Sequence, residues 1–402
     1  MPALELKKFT LTTCLGHGLE ANWTRLASQQ GNLKACDFET VDLPTFIGEV
    51  TGVDEVDIRP DLQQYDCRNN RLAQLTLEQD GFAAAVSETV TQYGAERIGL
   101  FLGTSTAGIL QTELAYRRRA PATSDKPVGA LPADFLYAPT HNTYSVAAFV
   151  SAYFGLRGPS LAVSSACSSS AKVFGNAARM IEAGLIDAAL VGGVDSLCLT
   201  TLYGFNSLQL LSPAPAQPYG DGRDGISIGE GGAFILLTRA DAHPAPGTIT
   251  LRGVGESSDA HHMSSPHPEG LGAQLAMSAA LKAAGIGTAD IGYINLHGTA
   301  TPSNDAAEGK AVHALFGNQT PCSSTKGATG HTLGAAGAVE AIICALAMRH
   351  SEIPAGINTT AVDATLDVNY VLTNQRKPVR YALNNSFGFG GSNCSLVLGI
   401  AA

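Results

Sequence analysis

The stretch Val163-Ser-Ser-Ala-Cys167-Ser-Ser-Ser170 places a cysteine where a strand pattern gives way to a helix pattern. The preceding Leu161-Ala-Val163 is a short apolar run typical of a buried strand. After the cysteine, apolar residues recur at helical spacing, at Phe174, Ala177, Ala178, Ile181 and Leu185. A thiol at a helix N-terminus lies near unpaired N–H groups and the positive end of the macrodipole, so we expect a lowered pKa and a nucleophilic thiolate. Taken alone, such a cysteine is more often a buried structural thiol, so the choice between a structural and a nucleophilic cysteine depends on the rest of the chain.

Strand-like runs alternate with helical patterns over most of the chain, which predicts an α/β fold whose sheets are covered by helices. The predicted strands are 97–103, 160–164, 188–192, 232–237, 248–254, 291–296 and 394–400, and amphipathic helices are predicted at 74–91 and 273–284. No Pro/Ser-rich linker or low-complexity tract divides the 402 residues, so we expect one compact body.

The composition excludes several classes of protein. A net charge of −10 argues against nucleic-acid binding, and no stretch approaches the apolar length of a membrane span. The N-terminus lacks the long apolar region of a signal peptide, which predicts a cytoplasmic protein without membrane insertion. The eight cysteines are scattered without a C-x-x-C pair, so we expect reduced thiols, and a charged fraction of only 15% suggests that part of the surface is covered in a dimer.

Three further segments contain candidate catalytic residues or a glycine-rich turn. Ile291-Gly-Tyr-Ile-Asn-Leu-His297-Gly-Thr299-Ala-Thr301-Pro302 resembles a strand that delivers a histidine to its end. Lys326-Gly-Ala-Thr-Gly-His331 leads into an apolar helix, and Asn384-Asn-Ser-Phe387-Gly-Phe389-Gly-Gly391-Ser-Asn393 is a glycine-rich turn before the last strand. The pair His261-His262 lacks Asp, Glu or Cys at ligand spacing, so no metal site is predicted.

In this order the four segments resemble the β-ketoacyl-acyl carrier protein synthases of the elongating type, the condensing enzymes of fatty-acid and polyketide synthesis. The resemblance runs from about Gly94 onward, and the first 90 residues match least, since the segment from Thr10 to Glu20 lacks a glycine-rich opening strand. It implies a thiolase-like fold: two similar α/β halves in a five-layered α-β-α-β-α arrangement. The halves would be residues 1–245, carrying the cysteine, and 246–402, carrying both histidines, with the joint near Ala245-Pro-Gly247.

The resemblance also implies a reaction. Cys167 would take an acyl group from a carrier thioester, and malonyl thioester would lose CO₂ to give a carbanion that attacks this acyl group. His297 and His331 would donate hydrogen bonds to the developing enolate. No cofactor is expected, because the substrates arrive on the phosphopantetheine arm of acyl carrier protein.

Other residues gain roles by the same resemblance. Lys326 would raise the local positive potential and pair with Glu308, and Phe389 would gate the site while its N–H forms an oxyanion hole with that of Cys167. Thr299 and Thr301 would bind pantetheine, and Thr106 would border the acyl pocket. A threonine there leaves room for a long, stiff or polar chain such as a polyene.

The expected partner is an acidic acyl carrier protein. Docking candidates are Arg68 and Arg71, then the run Arg117-Arg-Arg119 with Lys126. The chain would form a homodimer, or a heterodimer with a chain-length-factor-like paralogue as its catalytic or partner subunit in polyene or polyketide synthesis. A biosynthetic thiolase is a weaker alternative, because Phe387 and Phe389 occupy the turn where that family has a second cysteine.

Overall fold

A computed structural model describes residues 3–124 and 128–402, so the docking candidate Lys126 lies outside the described residues. The strands are β1 Leu4–Thr13, β2 Gly16–His17, β3 Lys34–Ala35, β4 Phe46–Gly48, β5 Ile98–Gly103, β6 Ser160–Val163, β7 Ala188–Asp195, β8 Ile228–Gly229, β9 Gly231–Arg239, β10 Ile249–Ser258, β11 Tyr293–Asn295, β12 Pro321–Ser323, β13 Glu352–Ile353, β14 Asn369–Tyr370, β15 Gln375–Arg376, β16 Tyr381–Gly388 and β17 Ser392–Ile400. The helices are α1 Leu19–Ala27, α2 Arg68–Leu77, α3 Phe82–Tyr93, α4 Ile109–Arg117, α5 Tyr137–Thr140, α6 Ser145–Phe154, α7 Ser169–Glu182, α8 Leu199–Ser207, α9 Leu271–Ala284, α10 Pro302–Phe316, α11 Lys326–Thr329 and α12 Ala336–His350.

The two halves of the chain build their sheets with the same strand order. The first half runs β1-β9-β7-β5-β6 and the second runs β10-β17-β16-β11-β12. In both halves the first two neighbouring pairs are antiparallel and the next two are parallel. This shared topology confirms the two similar α/β halves, a repeat that is too faint to claim from the sequence.

One short contact joins the two sheets. Strands β1 and β10 pair antiparallel at Leu4↔Leu251 and Glu5↔Thr250, which connects the sheets into a single path of hydrogen bonds. The chain crosses between the halves in the connection from β9 to β10, where the boundary between 245 and 246 was placed; that boundary stays a prediction.

Three apolar clusters define the helical layers. The central cluster unites α7 and α12 with the inner faces of both sheets. A second cluster packs α2, α3 and α6 on the outside of the first sheet, and a third packs α9 and α10 on the outside of the second. The order is therefore helix, sheet, helix, sheet, helix, which confirms the five-layered thiolase-like arrangement.

The segment Leu333–His350, which contains α12, is long and apolar enough to cross a membrane, but 89% of it is buried inside the protein. It is the central helix of the core, since apolar side chains from both sheets surround it. Its hydrophobicity therefore serves packing within the fold.

The predicted elements are found with shifted ends, except for the helix expected over 74–91. That segment belongs to two helices, α2 and α3, because Gly81 adopts a φ of 67° and breaks the helix between them. The prediction of one helix is wrong because hydrophobic periodicity continues across this short left-handed turn.

The parallel strands determine where reactive side chains can meet. Strands β6, β5 and β7 are neighbours in one sheet, and β12, β11 and β16 are neighbours in the other. Parallel strands end at the same edge of a sheet, so the residues that follow each trio lie close together. The segments that carry Cys167, His297, Lys326 and Phe389 all follow strands of these two trios.

Candidate active site

Cys167 lies between the end of β6 and the start of α7 in a tightly packed turn. Ala166 has a φ of 52°, a left-handed conformation that is uncommon for alanine. The turn is held by the Ser165 N–H, which donates to Ser169 Oγ at 2.9 Å, and the cysteine is only 6% exposed. The turn thus fixes the thiol in one direction at the carboxyl edge of the first sheet.

His331 contacts the thiol directly. Its Nε2 lies 3.0 Å from Cys167 Sγ. The other ring nitrogen, Nδ1, accepts a hydrogen bond from the Leu333 N–H at 3.3 Å. A nitrogen that accepts an N–H carries no proton, so the neutral ring has its proton on Nε2 and can donate at the thiol.

His297 presents a second imidazole to the same place. The two histidine rings lie edge to face with centroids 5.3 Å apart. Lys326 Nζ lies 3.5 Å from His297 Nδ1 and donates to the His297 carbonyl oxygen at 2.6 Å. An ammonium beside Nδ1 favours the tautomer that holds its proton on Nε2, so the two rings offer matching Nε2–H donors.

Both histidines are neutral. Burial is the largest cause that lowers the pKa of His297 well below its usual value, and the positive charge of Lys326 and the neighbouring His331 add to the effect. The pKa of His331 is lowered in the same way, by burial first and then by Lys326. Each ring therefore acts as a hydrogen-bond donor through one N–H at neutral pH, and not as a cation.

The pKa of the Cys167 thiol is raised, whereas the sequence analysis predicted a lowered pKa. Burial raises its pKa to about 12, although Lys326 and a hydrogen bond from the Phe389 N–H lower it. The helix terminus gives little help because the N–H groups of Ser168 and Ser169 already donate to the carbonyl oxygens of Ser165 and Ala166. The prediction of a lowered pKa is wrong, and the resting residue is a thiol.

The predicted ion pair between Glu308 and Lys326 is also wrong. Lys326 Nζ forms its salt bridge with Glu340 on α12, and both side chains are almost fully buried. The Glu308 carboxylate instead accepts the N–H groups of His297 and Gly298 at 2.8 and 2.7 Å. Glu308 therefore holds the backbone of the His297 loop, and burial raises the pKa of both carboxyl groups to about 7.

Phe389 lies beside Cys167, and its role as a gate stays a prediction. Its N–H donates toward Cys167 Sγ, and its ring is 37% exposed at the mouth of the site, 5.7 Å from the ring of Phe205. Gly388 packs so closely that an added Cβ would lie 2.9 Å from the Ser165 carbonyl oxygen. The glycine-rich turn thus brings a second backbone N–H to the thiol, as an oxyanion hole requires.

A cavity of about 610 Å³, counted with its open mouth, leads to Cys167, His297 and His331. Thr299 and Thr301 line it, are nearly buried, and have their hydroxyl oxygens 2.9 Å apart. Cys167 is the only cysteine among the described residues that line this cavity. The arrangement suits a narrow substrate arm that enters past Phe389 and ends at the thiol.

Thr106 is not among the residues that line this cavity. It is 1% exposed, and its hydroxyl and N–H both donate to Asp195 Oδ1 at 2.9 Å. The side chain is therefore occupied by a carboxylate, and its role at an acyl pocket stays a prediction.

The structure contradicts the docking role of Arg68. The side chain is 3% exposed and is surrounded by Glu230, Asp54 and Glu49. Arg71 is partly exposed and its guanidinium is paired with Asp66. Of the arginine run, Arg118 is the most accessible of those in ion pairs, with 57% exposure and a partner, Asp134, at 2.9 Å. The docking roles of Arg71 and of the arginine run stay predictions.

A metal ion is a poor fit for this site. Cys167, His297 and His331 do bring three potential ligand atoms within 4.8 Å of one another. The Lys326 ammonium, however, adds a positive charge beside His297 that disfavours a bound cation. The trio is better suited to a nucleophile with two donors.

Two site residues were missed in the sequence. Glu340 lies in the apolar pattern of α12, where a lone acidic residue in a buried helix could have indicated a buried ion pair. Asp195 is the last residue of the apolar strand β7 and belongs to no recognisable motif, so only the three-dimensional structure shows its partners.

The thiolase-like fold, with a cysteine and two neutral imidazoles brought together beyond the strand ends of its two similar sheets, is the arrangement of a condensing enzyme. The chain belongs to the β-ketoacyl synthase family. Residues 12–243 match the family model described as "Beta-ketoacyl synthase, N-terminal domain", and residues 249–360 match "Beta-ketoacyl synthase, C-terminal domain".

Relatives cover the chain almost completely. The 3-oxoacyl-[acyl-carrier-protein] synthase 2 of Vibrio cholerae is 34% identical over 407 residues, with 95% of each chain covered. A solved structure of the ketosynthase ApeO in complex with its chain length factor ApeC, from Xenorhabdus doucetiae, contains a chain 38% identical, with a TM-score of 0.89 and 100% of this chain and 98% of that chain covered. A β-ketoacyl synthase from Burkholderia phymatum is 26% identical with a TM-score of 0.86, and both chains are fully covered.

Proposed function

We propose that the protein joins an acyl thioester to a malonyl thioester, both carried by acyl carrier protein, in a decarboxylative Claisen condensation. The observation that carries the proposal is the pair of Nε2–H donors, from His297 and His331, beside the Cys167 thiol. Such donors suit a reaction in which negative charge develops on a thioester oxygen.

In the first half-reaction the Cys167 sulfur attacks the acyl carbonyl. The carbonyl oxygen becomes an oxyanion and accepts hydrogen bonds from the N–H groups of Cys167 and Phe389. The bond to the carrier sulfur then breaks, and the thiol proton passes to that sulfur. The acyl group is left on Cys167, and the carrier leaves with a free thiol.

In the second half-reaction malonyl thioester enters the emptied cavity. Its carbon–carboxylate bond breaks, CO₂ leaves, and the electron pair forms an enolate whose oxygen accepts hydrogen bonds from His297 and His331. The enolate carbon attacks the acyl thioester on Cys167, and the cysteine leaves as a thiolate that takes up a proton. The product is a 3-oxoacyl thioester two carbons longer than the acyl group.

The remaining residues would hold the substrate and the donors. Thr299 and Thr301 offer hydroxyl groups along the cavity for the amides of the phosphopantetheine arm. Lys326 holds the tautomer of His297, and Glu308 fixes the loop that carries this histidine. The carrier brings the pantetheine, so we propose no cofactor of the enzyme's own and a cytoplasmic location.

The direct test uses purified protein with acyl carriers of graded chain length and isotope-labelled malonyl carrier. We expect CO₂ release and a 3-oxoacyl carrier two carbons longer, identified by mass spectrometry. Transfer of acyl groups to free thiols without any carbon–carbon bond would contradict the proposal.

A second proposal concerns assembly: the chain is the catalytic subunit of a heterodimer with a chain-length-factor-like paralogue, in polyene or polyketide synthesis. The 38% identity to a chain of the ApeO and ApeC complex, over the full length, supports it. We expect purified chain alone to be weakly active, and co-expression with a chain-length-factor-like paralogue to restore activity and set the product length. Full activity as a homodimer would contradict this second proposal and leave the reaction unchanged.

A further inference from the structure

Asp195, at the end of β7, is a buried carboxylate that the reaction described above does not use. It is 0% exposed, and among the described residues no cationic side chain forms a salt bridge with it. Its two oxygens are satisfied by uncharged donors only. A buried carboxylate is costly to keep unless its hydrogen bonds fix something of use, so its donors indicate its role.

One set of donors belongs to the turn that follows β5. The N–H groups of Ser105 and Thr106 donate to Oδ1 at 2.7 and 2.9 Å, and the Thr104 hydroxyl donates to the same oxygen at 2.7 Å. The Ser105 hydroxyl donates to Oδ2. The next residue, Ala107, has a φ of 43°, so this turn contains a left-handed residue that the carboxylate helps to hold.

The other donor belongs to the loop that follows His331. The Gly334 N–H donates to Asp195 Oδ2 at 2.6 Å. The preceding Leu333 has a φ of 50°, which is unusual for leucine, and its own N–H donates to His331 Nδ1. The two N–H groups are adjacent in the chain, so holding the first in place also aims the second.

We propose that Asp195 is a positioning residue that fixes the tautomer of His331 through the Gly334 and Leu333 amides and ties this histidine to the turn at Thr104–Thr106. The inference rests on the proposed function only in its kinetic part. If the Thr104–Thr106 turn moves, the Leu333 N–H shifts and the donor at Cys167 shifts with it.

The variant Asp195→Asn should keep the contact with the Thr104–Thr106 turn and lose the contact with Gly334. Hydroxyl groups can reverse their roles to suit an amide, but backbone N–H groups cannot. Oδ1 faces two backbone N–H groups and Oδ2 faces one, from Gly334. The amide oxygen will therefore keep the Ser105 and Thr106 contacts, its NH₂ group will oppose the Gly334 N–H, and the loop after His331 is released.

The first measurement needs no substrate. In protein labelled with ¹⁵N at its histidines, the wild-type His331 ring is expected to show one tautomer, protonated at Nε2. In Asp195→Asn a mixture of tautomers is expected. Thr104→Val, which removes one hydroxyl from Oδ1 and leaves the Gly334 contact, is the matched control and should keep the single tautomer. An unchanged His331 signal in Asp195→Asn would overturn the proposal whether or not the protein is a condensing enzyme.

The second measurement compares half-reactions. Asp195→Asn should lower kcat for malonyl decarboxylation by about 10- to 100-fold, the size expected for a displaced donor, with little change in KM or in acyl loading of Cys167. In a His331→Ala background the same substitution should have no further effect, because Asp195 acts through His331. An equal loss in both backgrounds would overturn the proposal.

Gly334→Ala provides a second route if Asp195→Asn does not fold. A Cβ at this position would lie 2.8 Å from Asp195 Oδ2 and 2.9 Å from the Ser105 nitrogen, so the methyl group pushes the loop after His331 away from both the carboxylate and the Thr104–Thr106 turn. The same mixed tautomers and the same dependence on His331 are expected. A single His331 tautomer in folded Gly334→Ala would contradict the proposal.

Discussion

At the scale of residues, the site holds its cysteine and its two histidines uncharged. Burial lowers the pKa of both histidines and raises that of Cys167 to about 12. A thiol, and not a preformed thiolate, then meets the acyl thioester, and its proton can leave with the departing carrier sulfur. Lys326 supplies a fixed positive charge beside His297 and is itself balanced by Glu340.

Alkylation kinetics test this protonation state. Because the thiol pKa is raised to about 12, the thiolate fraction at Cys167 grows throughout the neutral range. Reaction with a small neutral alkylating reagent should accelerate about tenfold per pH unit between about pH 7 and 9, with no plateau. The rate is measured by peptide mass spectrometry, with Cys167→Ala as the background control. A plateau below about pH 8 would show that the helix terminus and Lys326 outweigh burial.

At the scale of elements, the ends of the strands position most of the site residues. The sequence was sufficient to predict the strands that carry Cys167 and His297, because each is a buried apolar run followed at once by small or polar residues. The break between α2 and α3 was not predictable by periodicity, since only two adjacent residues in the left-handed conformation, Asp80 and Gly81, interrupt the pattern. The partners of Lys326 and Arg68 were not predictable either, because Glu340 and Glu230 are brought to them by packing of distant elements.

The buried arginine at the start of α2 provides a stability prediction. Arg68 donates to Glu230 at 2.7 and 3.0 Å, and Glu230 is fully buried. Arg68→Ala leaves that carboxylate without its cation and should lower the free energy of unfolding by about 3–5 kcal/mol. The control Arg71→Ala breaks a partly exposed pair with Asp66 and should cost about 1 kcal/mol or less. Both are measured by urea denaturation, and equal losses would contradict the structural role of Arg68.

At the scale of the whole molecule, two copies of one topology face each other across the central helices. In the proposed reaction the first copy would supply the nucleophile, and the second would supply the donors and the gating turn. Neither half holds the complete set of groups, because Cys167 lies after a strand of one sheet and His297, His331 and Phe389 lie after strands of the other. If the proposed function holds, a chain with a net charge of −10 would meet an acidic carrier through a local basic region.

Charge reversal tests where the carrier docks. Because Arg68 is buried, the exposed Arg118 is the better candidate among the docking residues predicted from the sequence. Arg118→Glu should raise KM for acyl carrier several-fold and leave KM for a small pantetheine thioester unchanged, and added salt should have a similar effect because the Debye length is ~10 Å at 0.1 M. Arg157→Glu is the matched control, since Arg157 is 69% exposed and is likewise paired with an exposed carboxylate, that of Glu96. Equal effects of the two reversals would exclude docking at Arg118.

The division of labour between the thiol and the two donors is tested most directly by following both half-reactions in His297→Ala and His331→Ala. Intact mass spectrometry reports the acyl group on Cys167, and release of labelled CO₂ reports decarboxylation of malonyl carrier. Both variants should still form the acyl-enzyme, whereas decarboxylation should fall by roughly 100-fold or more, as expected for a lost oxyanion donor. Normal decarboxylation in both variants, or an acyl-enzyme that persists in Cys167→Ala, would contradict the account.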